Sequence, residues 1–242
     1  MIEVPEGAHL DVSTTLVIDG FHVVLRSTGT GATLDGGLAR RVVHVTGGGR
    51  LTLDKVDLAH GWVKDSSGGC GLAEGAGSEL HVIGAHVRDC RSDGDVLSNS
   101  GNGNGPRGGS VVEDGGGGGV AAINGAHLEV VDSEIARCSA GNIGGGVLVG
   151  RASTAVLVRA TLIANHADAC GGGLSAILGG AAHITDSTVT LNTLGDPSKY
   201  GNQAKYGNSM GAGFIAMSDG VEPAVSQSGS NHARPRRPAP YA

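Results

Sequence analysis

The sequence predicts an all-β fold, a single-stranded parallel β-helix of about six to seven coils, and three observations carry that expectation. Segments 69–90, 117–138, 144–165 and 171–192 superimpose without a gap, each opening on a glycine cluster and closing on Cys or Asn. The starts at 117, 144 and 171 are 27 residues apart, so the chain returns to one structural address once per unit, as a solenoid must. No window carries an i, i+3, i+4 apolar stripe long enough for a helix, and glycine, at 45 of 242 residues, opposes one.

Within the unit the apolar residues fall into columns. The first is Leu72, Val120, Val147 and Leu174; the second Val82, Val130, Leu157 and Ile184; the third Val87, Ile135, Leu162 and Val189. Spacing is two within a stretch, as from Leu128 to Val130, and changes parity before Ile135, which is the mark of short strands separated by bends. Cys90, Cys138, Asn165 and Asn192 share one corner address. There, stacked amides can bond to each other and to backbone, and cysteine can act as a small filler. Upstream, 16–25 and 41–58 continue the pattern, with Leu51, Leu53 and Leu58 aligned on Leu80, Val82 and Val87. The expected domain is a β-helix over 1–220. Residues 221–242 hold four of the seven prolines with Arg234, Arg236 and Arg237, and read as a disordered, solvated tail.

Gly145-Gly146-Val147 with Leu162-Ile163-Ala164-Asn165, and Gly172-Gly173-Leu174 with Val189-Thr190-Leu191-Asn192, pair a Gly-Gly-aliphatic start with a later apolar-x-x-Asn. This pairing resembles a degenerate form of the repeat of chlamydial-type polymorphic outer-membrane proteins, with Val, Ile or Leu where that family has phenylalanine. More broadly, 14–220 resembles the pectin-lyase-like superfamily, which implies a right-handed β-helix and an extracellular or cell-surface location. The fold alone implies no particular activity.

A formal net charge of −6 and the absence of a basic stripe argue against a nucleic-acid partner. The most apolar stretch, 147–163, contains Arg151 and Arg159 and does not suit a transmembrane segment. Met1-Ile2-Glu3 begins no apolar signal-peptide region, and neither end shows a capping helix, so the sequence reads as a fragment of a longer chain. Cys70, Cys90, Cys138 and Cys170 form no C-x-x-C and have no histidine at zinc-ligand spacing. Stacking on neighbouring coils would bring Cys90 and Cys138 about 5 Å apart, within disulfide reach, but parallel side-chain directions disfavour the bond. Buried thiols are the expectation.

Two interruptions of the repeat point to a binding edge. Gly69 to Gly117 spans 48 residues and Gly171 to Gly211 spans 40, so loop insertions near 91–116 and 193–210 both fall between the corner and the next glycine cluster. Insertions collected on one edge of a solenoid mark a contact face. Trp62, Tyr200 and Tyr206 belong to that edge and are the candidate ligand-binding residues, their rings suited to sugar faces; as purely structural groups they would instead close a turn and pin a loop.

For catalysis the best constellation is the column Gly84, Asp132, Arg159, Asp186. An arginine between two carboxylates suits a polysaccharide lyase with calcium on the acids, and equally suits an exposed ion-pair ladder, which is the reading favoured. Asp93, Asp95, Glu113 and Asp114 are acids of the kind that hold calcium but lack the regular spacing of a calcium loop and read as solubilising charges, and no other metal or cofactor is expected. There is no Asp-Asp pair for a glycosidase, and Ala59-His60-Gly61 only partly echoes Gly-His-Gly. Thr185, Thr188, Thr190 and Thr193 occupy a single coil and make no ice-binding array. The reading is a non-catalytic surface or adhesion module binding a polysaccharide or cell-surface ligand; the alternative is a polysaccharide lyase on the same coils.

Overall fold

A computed structural model describes residues 1–64, 66–93, 116–195, 213–217 and 225–228. It is a β-solenoid of about six turns without a helix among these residues. The coil that begins at Gly71 shows the plan: Gly71–Glu74 lies on a first face, Glu79–Ile83 on a second, His86–Arg88 on a third and Arg91–Asp93 on a fourth. Each strand pairs in parallel with the same strand of the coils before and after it, giving sheets of seven, eight, seven and five strands. The last strand of the second face, Val225–Ser228, pairs with Ala181–Thr185 and so lies inside the segment expected to be disordered. Arg91–Asp93 and Thr193–Leu194 are also strands, so both insertions begin later than the spacing suggests.

Two of the three expected columns form as read. Val82, Val130, Leu157 and Ile184 are direct partners, as are Val87, Ile135, Leu162 and Val189, and they lie in one continuous core. Leu53 and Leu58 extend them, and Leu51 pairs with Leu80 alongside.

The first column needs a correction. Val120, Val147 and Leu174 stack, but Gly71 pairs with Val120 and Leu72 with Ala121. The turn from Glu74 to Glu79 holds one residue more than that from Ile123 to His127, and this absorbs the shift before Leu80 meets Leu128. Leu72 therefore faces away from the lumen, into a second apolar cluster with Ala121, Ile143, Leu148, Cys170 and Ile177.

The same shift changes the cysteine chemistry. Cys70 takes the address that Gly119, Gly146 and Gly173 occupy in later coils. A β-carbon on those glycines would lie 3.2 Å from Cys138 Sγ, 3.0 Å from Asn165 Nδ2 and 3.0 Å from Asn192 Nδ2 respectively, so this address faces the corner across the coil. Cys70 and Cys90 meet there in a disulfide with Cα atoms 5.5 Å apart. Cys90 is thus neither a free thiol nor bonded to Cys138. Cys138 and Cys170 are buried thiols, and burial pushes them up to about 12 and about 11, which keeps them protonated and unreactive.

The asparagines bond to backbone rather than to each other. Asn165 Oδ1 accepts from Cys138 N at 2.9 Å and its Nδ2 donates to Ile135 O at 2.9 Å. Asn192 repeats both bonds one coil on, to Asn165 N and Leu162 O.

Candidate functional site

The described residues break off just past a fourth-face strand, at Asp93 and at Gly195, and resume at Gly116 and Gly213, in the glycine turns before the first face. Trp62, one coil before the first break, and then Arg91, Ser139, His166 and Thr193 are successive partners in one row. Ser92, Ala140 and Ala167, one residue along each strand, are buried, so alternation turns the row toward solvent. The Trp62 indole N–H donates to Asp93 Oδ2 at 2.8 Å, and Arg91 Nε pairs with the other oxygen of the same carboxylate. His166 contacts Thr193 Oγ1 at 2.9 Å and Asp168 Oδ1 at 3.1 Å. The edge is therefore a polar strip with one aromatic ring, and Trp62 and Thr193 stand four coils apart, about 19 Å. Tyr200, Tyr206, Asp95, Glu113 and Asp114 lie outside the described residues.

The charge column lies elsewhere, at the bend between the second and third faces. Lys55, Gly84, Asp132, Arg159 and Asp186 share that bend with φ of 55°, 58°, 50°, 48° and 49°. Lys55, Asp132, Arg159 and Asp186 are exposed at this left-handed turn. Arg159 grips Asp132 with both ends of its guanidinium, at 2.5 and 2.7 Å, in a pair about half exposed. The hydrogen bond from Arg159 holds the Asp132 carboxyl below its usual range, and Asp132 in turn raises the guanidinium. Asp186 adds to the field on Arg159.

Two charged networks were not anticipated from the sequence. On the second face His81 bridges Glu79 Oε2 at 2.9 Å and Glu129 Oε2 at 2.6 Å, Arg50 also holds Glu79, and the His127 ring lies 6.1 Å from that of His81. The hydrogen bond from Arg50 leads the forces that lower Glu79 to about 2. Past the third face, Asp35 Oδ2 takes His60 Nδ1 at 2.8 Å and His9 Nε2 at 3.2 Å, and Arg137 clamps Asp89 with two contacts of 2.8 Å. Burial pushes Asp35 up, but hydrogen bonds from His60 and the Gly37 amide outweigh it. The signal that could have found the first network is that His81 and Glu129 share one address on successive coils. Among the described residues no group of three or more His, Cys, Asp or Glu is arranged to hold a metal ion.

No protein-family model, curated protein or solved structure matches the chain.

Proposed function

We propose that this solenoid is a non-catalytic surface or adhesion module that binds an extracellular polysaccharide or other cell-surface ligand along its fourth-face edge. The observation that carries the reading is the outward row Trp62, Arg91, Ser139, His166, Thr193 on the face after which both insertions fall in the sequence. An extended ligand spanning several coils would meet an aromatic face, a guanidinium, hydroxyls and an imidazole in turn. Trp62 is already oriented by Asp93, which lowers the ordering cost of stacking a sugar on it. The Cys70–Cys90 bond suits an oxidising, extracellular compartment. The Gly-Gly-aliphatic and apolar-x-x-Asn signals support kinship with polymorphic outer-membrane and pectin-lyase-like β-helices.

A lyase would need Arg159 or a neighbour to take a proton from the sugar. Asp132 raises the Arg159 guanidinium and so opposes that role. The test is a screen of the labelled chain on arrayed acidic and neutral polysaccharides, followed by an assay of every hit for new unsaturated ends. Binding with the ligand left intact supports the module; chain cleavage supports the lyase.

A further inference from the structure

Beside the outward row from Trp62 to Thr193 runs a second, two residues further along the chain in each coil: Lys64, Asp93, Gly141, Asp168 and Gly195. The charges of the two rows are tied to one another. Asp93 accepts from the Trp62 indole at 2.8 Å with one oxygen and pairs with Arg91 through the other, and Lys64 is its register partner. Asp168 Oδ1 meets His166 Nε2 at 3.1 Å, and the other ring nitrogen contacts Thr193 Oγ1 at 2.9 Å. In the formal count Lys64 and Arg91 cancel Asp93 and Asp168, and the chain as a whole carries −6. Between the two tied clusters stand Ser139 and Gly141, both small and partly exposed. Arg91 with Asp93 lies one coil before them and His166 with Asp168 one coil after, so the clusters flank a low saddle about 10 Å across with a hydroxyl on its floor.

Resting on the reading of this face as a binding edge, we propose that its ligand is an uncharged linear polysaccharide laid along the solenoid axis, with one sugar seated in the saddle at Ser139 and Gly141 and another on the Trp62 ring. An acidic sugar would have to approach Asp93 and Asp168 and draw Arg91 from its partner, within the field of a chain of net charge −6. A cationic sugar would meet carboxylates that Trp62, Arg91 and His166 already engage. Sugar hydroxyls both donate and accept, so they can bond to the Ser139 hydroxyl, the remaining Arg91 N–H groups and the second Asp168 oxygen without breaking a pair. The Trp62 ring, fixed through its indole N–H, offers an uncharged face to the apolar side of a sugar. Trp62 and Ser139 stand two coils apart on one row, about 10 Å, a span that two steps of an extended sugar chain can follow.

The probes are soluble oligosaccharides of cellulose, mannan, laminarin and amylose, each in uncharged, carboxymethylated and aminated form, titrated into the full chain by calorimetry. At least one uncharged series should bind, with a dissociation constant that changes less than about twofold between low and high salt. Its affinity should rise with length and level off at about five sugars, one for each coil from Trp62 to Thr193. The carboxymethylated and aminated forms of the same series should bind about tenfold more weakly. Ser139→Leu should fill the saddle and weaken binding about tenfold, and Trp62→Ala serves if that variant does not fold. Tighter binding by a charged form that is lost in Trp62→Ala overturns the ligand class and leaves the edge standing. Binding that neither variant weakens, or no binding by any form, overturns both.

Discussion

Cys70 and Cys90 bond across one corner of their coil at the address where the next coils set Gly119 against Cys138, Gly146 against Asn165 and Gly173 against Asn192. From Cys90 to Asn192 each coil fills the corner once, with a disulfide, a thiol or an amide. Where the corner group is large and polar the opposite position has no room for a side chain. Where both positions carry cysteine, the bond closes the coil on itself.

Removing that bond should destabilise the fold through the unfolded state. The sequence separation of 20 residues corresponds to about 3 kcal/mol of loop-closure entropy. We expect Cys70→Ser with Cys90→Ser to lower the urea midpoint accordingly, and Cys70→Gly with Cys90→Asn, which copies the later coils, to recover part of the loss. Equal midpoints for wild type and both double variants would contradict the assignment.

Asn165→Ala removes two buried hydrogen bonds, leaving Cys138 N and Ile135 O without their partner. The expected cost is about 1 to 3 kcal/mol, read from equilibrium unfolding, and Asn165→Ser should not restore it because the shorter side chain cannot reach both coils.

Leu157 is fully buried between Val130 and Ile184. Leu157→Ala should cost about 2 to 5 kcal/mol, because coils on both sides limit collapse into the cavity. The exposed Leu191→Ala should leave the midpoint nearly unchanged.

Acid should weaken the fold in two stages. Burial depresses His44 and His127 in the folded chain, so their contribution is present above the ordinary histidine value of 6.5 and is lost as pH falls through and below it. Asp35, Glu79 and Asp89 are also depressed, Glu79 to about 2 from 4.5, so a second loss begins as pH falls below the ordinary carboxylate range. Melting temperature against pH should therefore be flat above neutrality and decline below it. A rise on acidification from 7 to 5 would contradict the sign.

The sequence carried the second and third columns because their strands have one face inward and one outward, so alternation marks the core directly. It misled at Leu72 because the first-face strands are buried on both sides: Gly71–Glu74 and Val120–Ile123 offer apolar residues at successive positions, and no parity distinguishes lumen from outside. The extra residue in the Gly75-Ala76-Gly77-Ser78 turn was invisible for the same reason, and with the register off by one, Cys70 could not be seen opposite Cys90. Asp132 and Arg159 were legible as a charge pair because they share a bend exactly one repeat apart. Arg91 and His166 were not, since strands of two or three residues leave too little alternation to orient a polar side chain.

The central claim, a binding edge separate from the charge column, is tested most directly by titrating a polysaccharide found in the array screen into wild type, Trp62→Ala, Arg91→Ala and Arg159→Ala by calorimetry while following unsaturated ends. Trp62→Ala should weaken affinity by about 1 to 2 kcal/mol, and Arg91→Ala should weaken it too. Arg159→Ala should bind as wild type does, and no new ends should appear in any sample. Depolymerisation that disappears with Arg159→Ala, while Trp62→Ala binds normally, would contradict it.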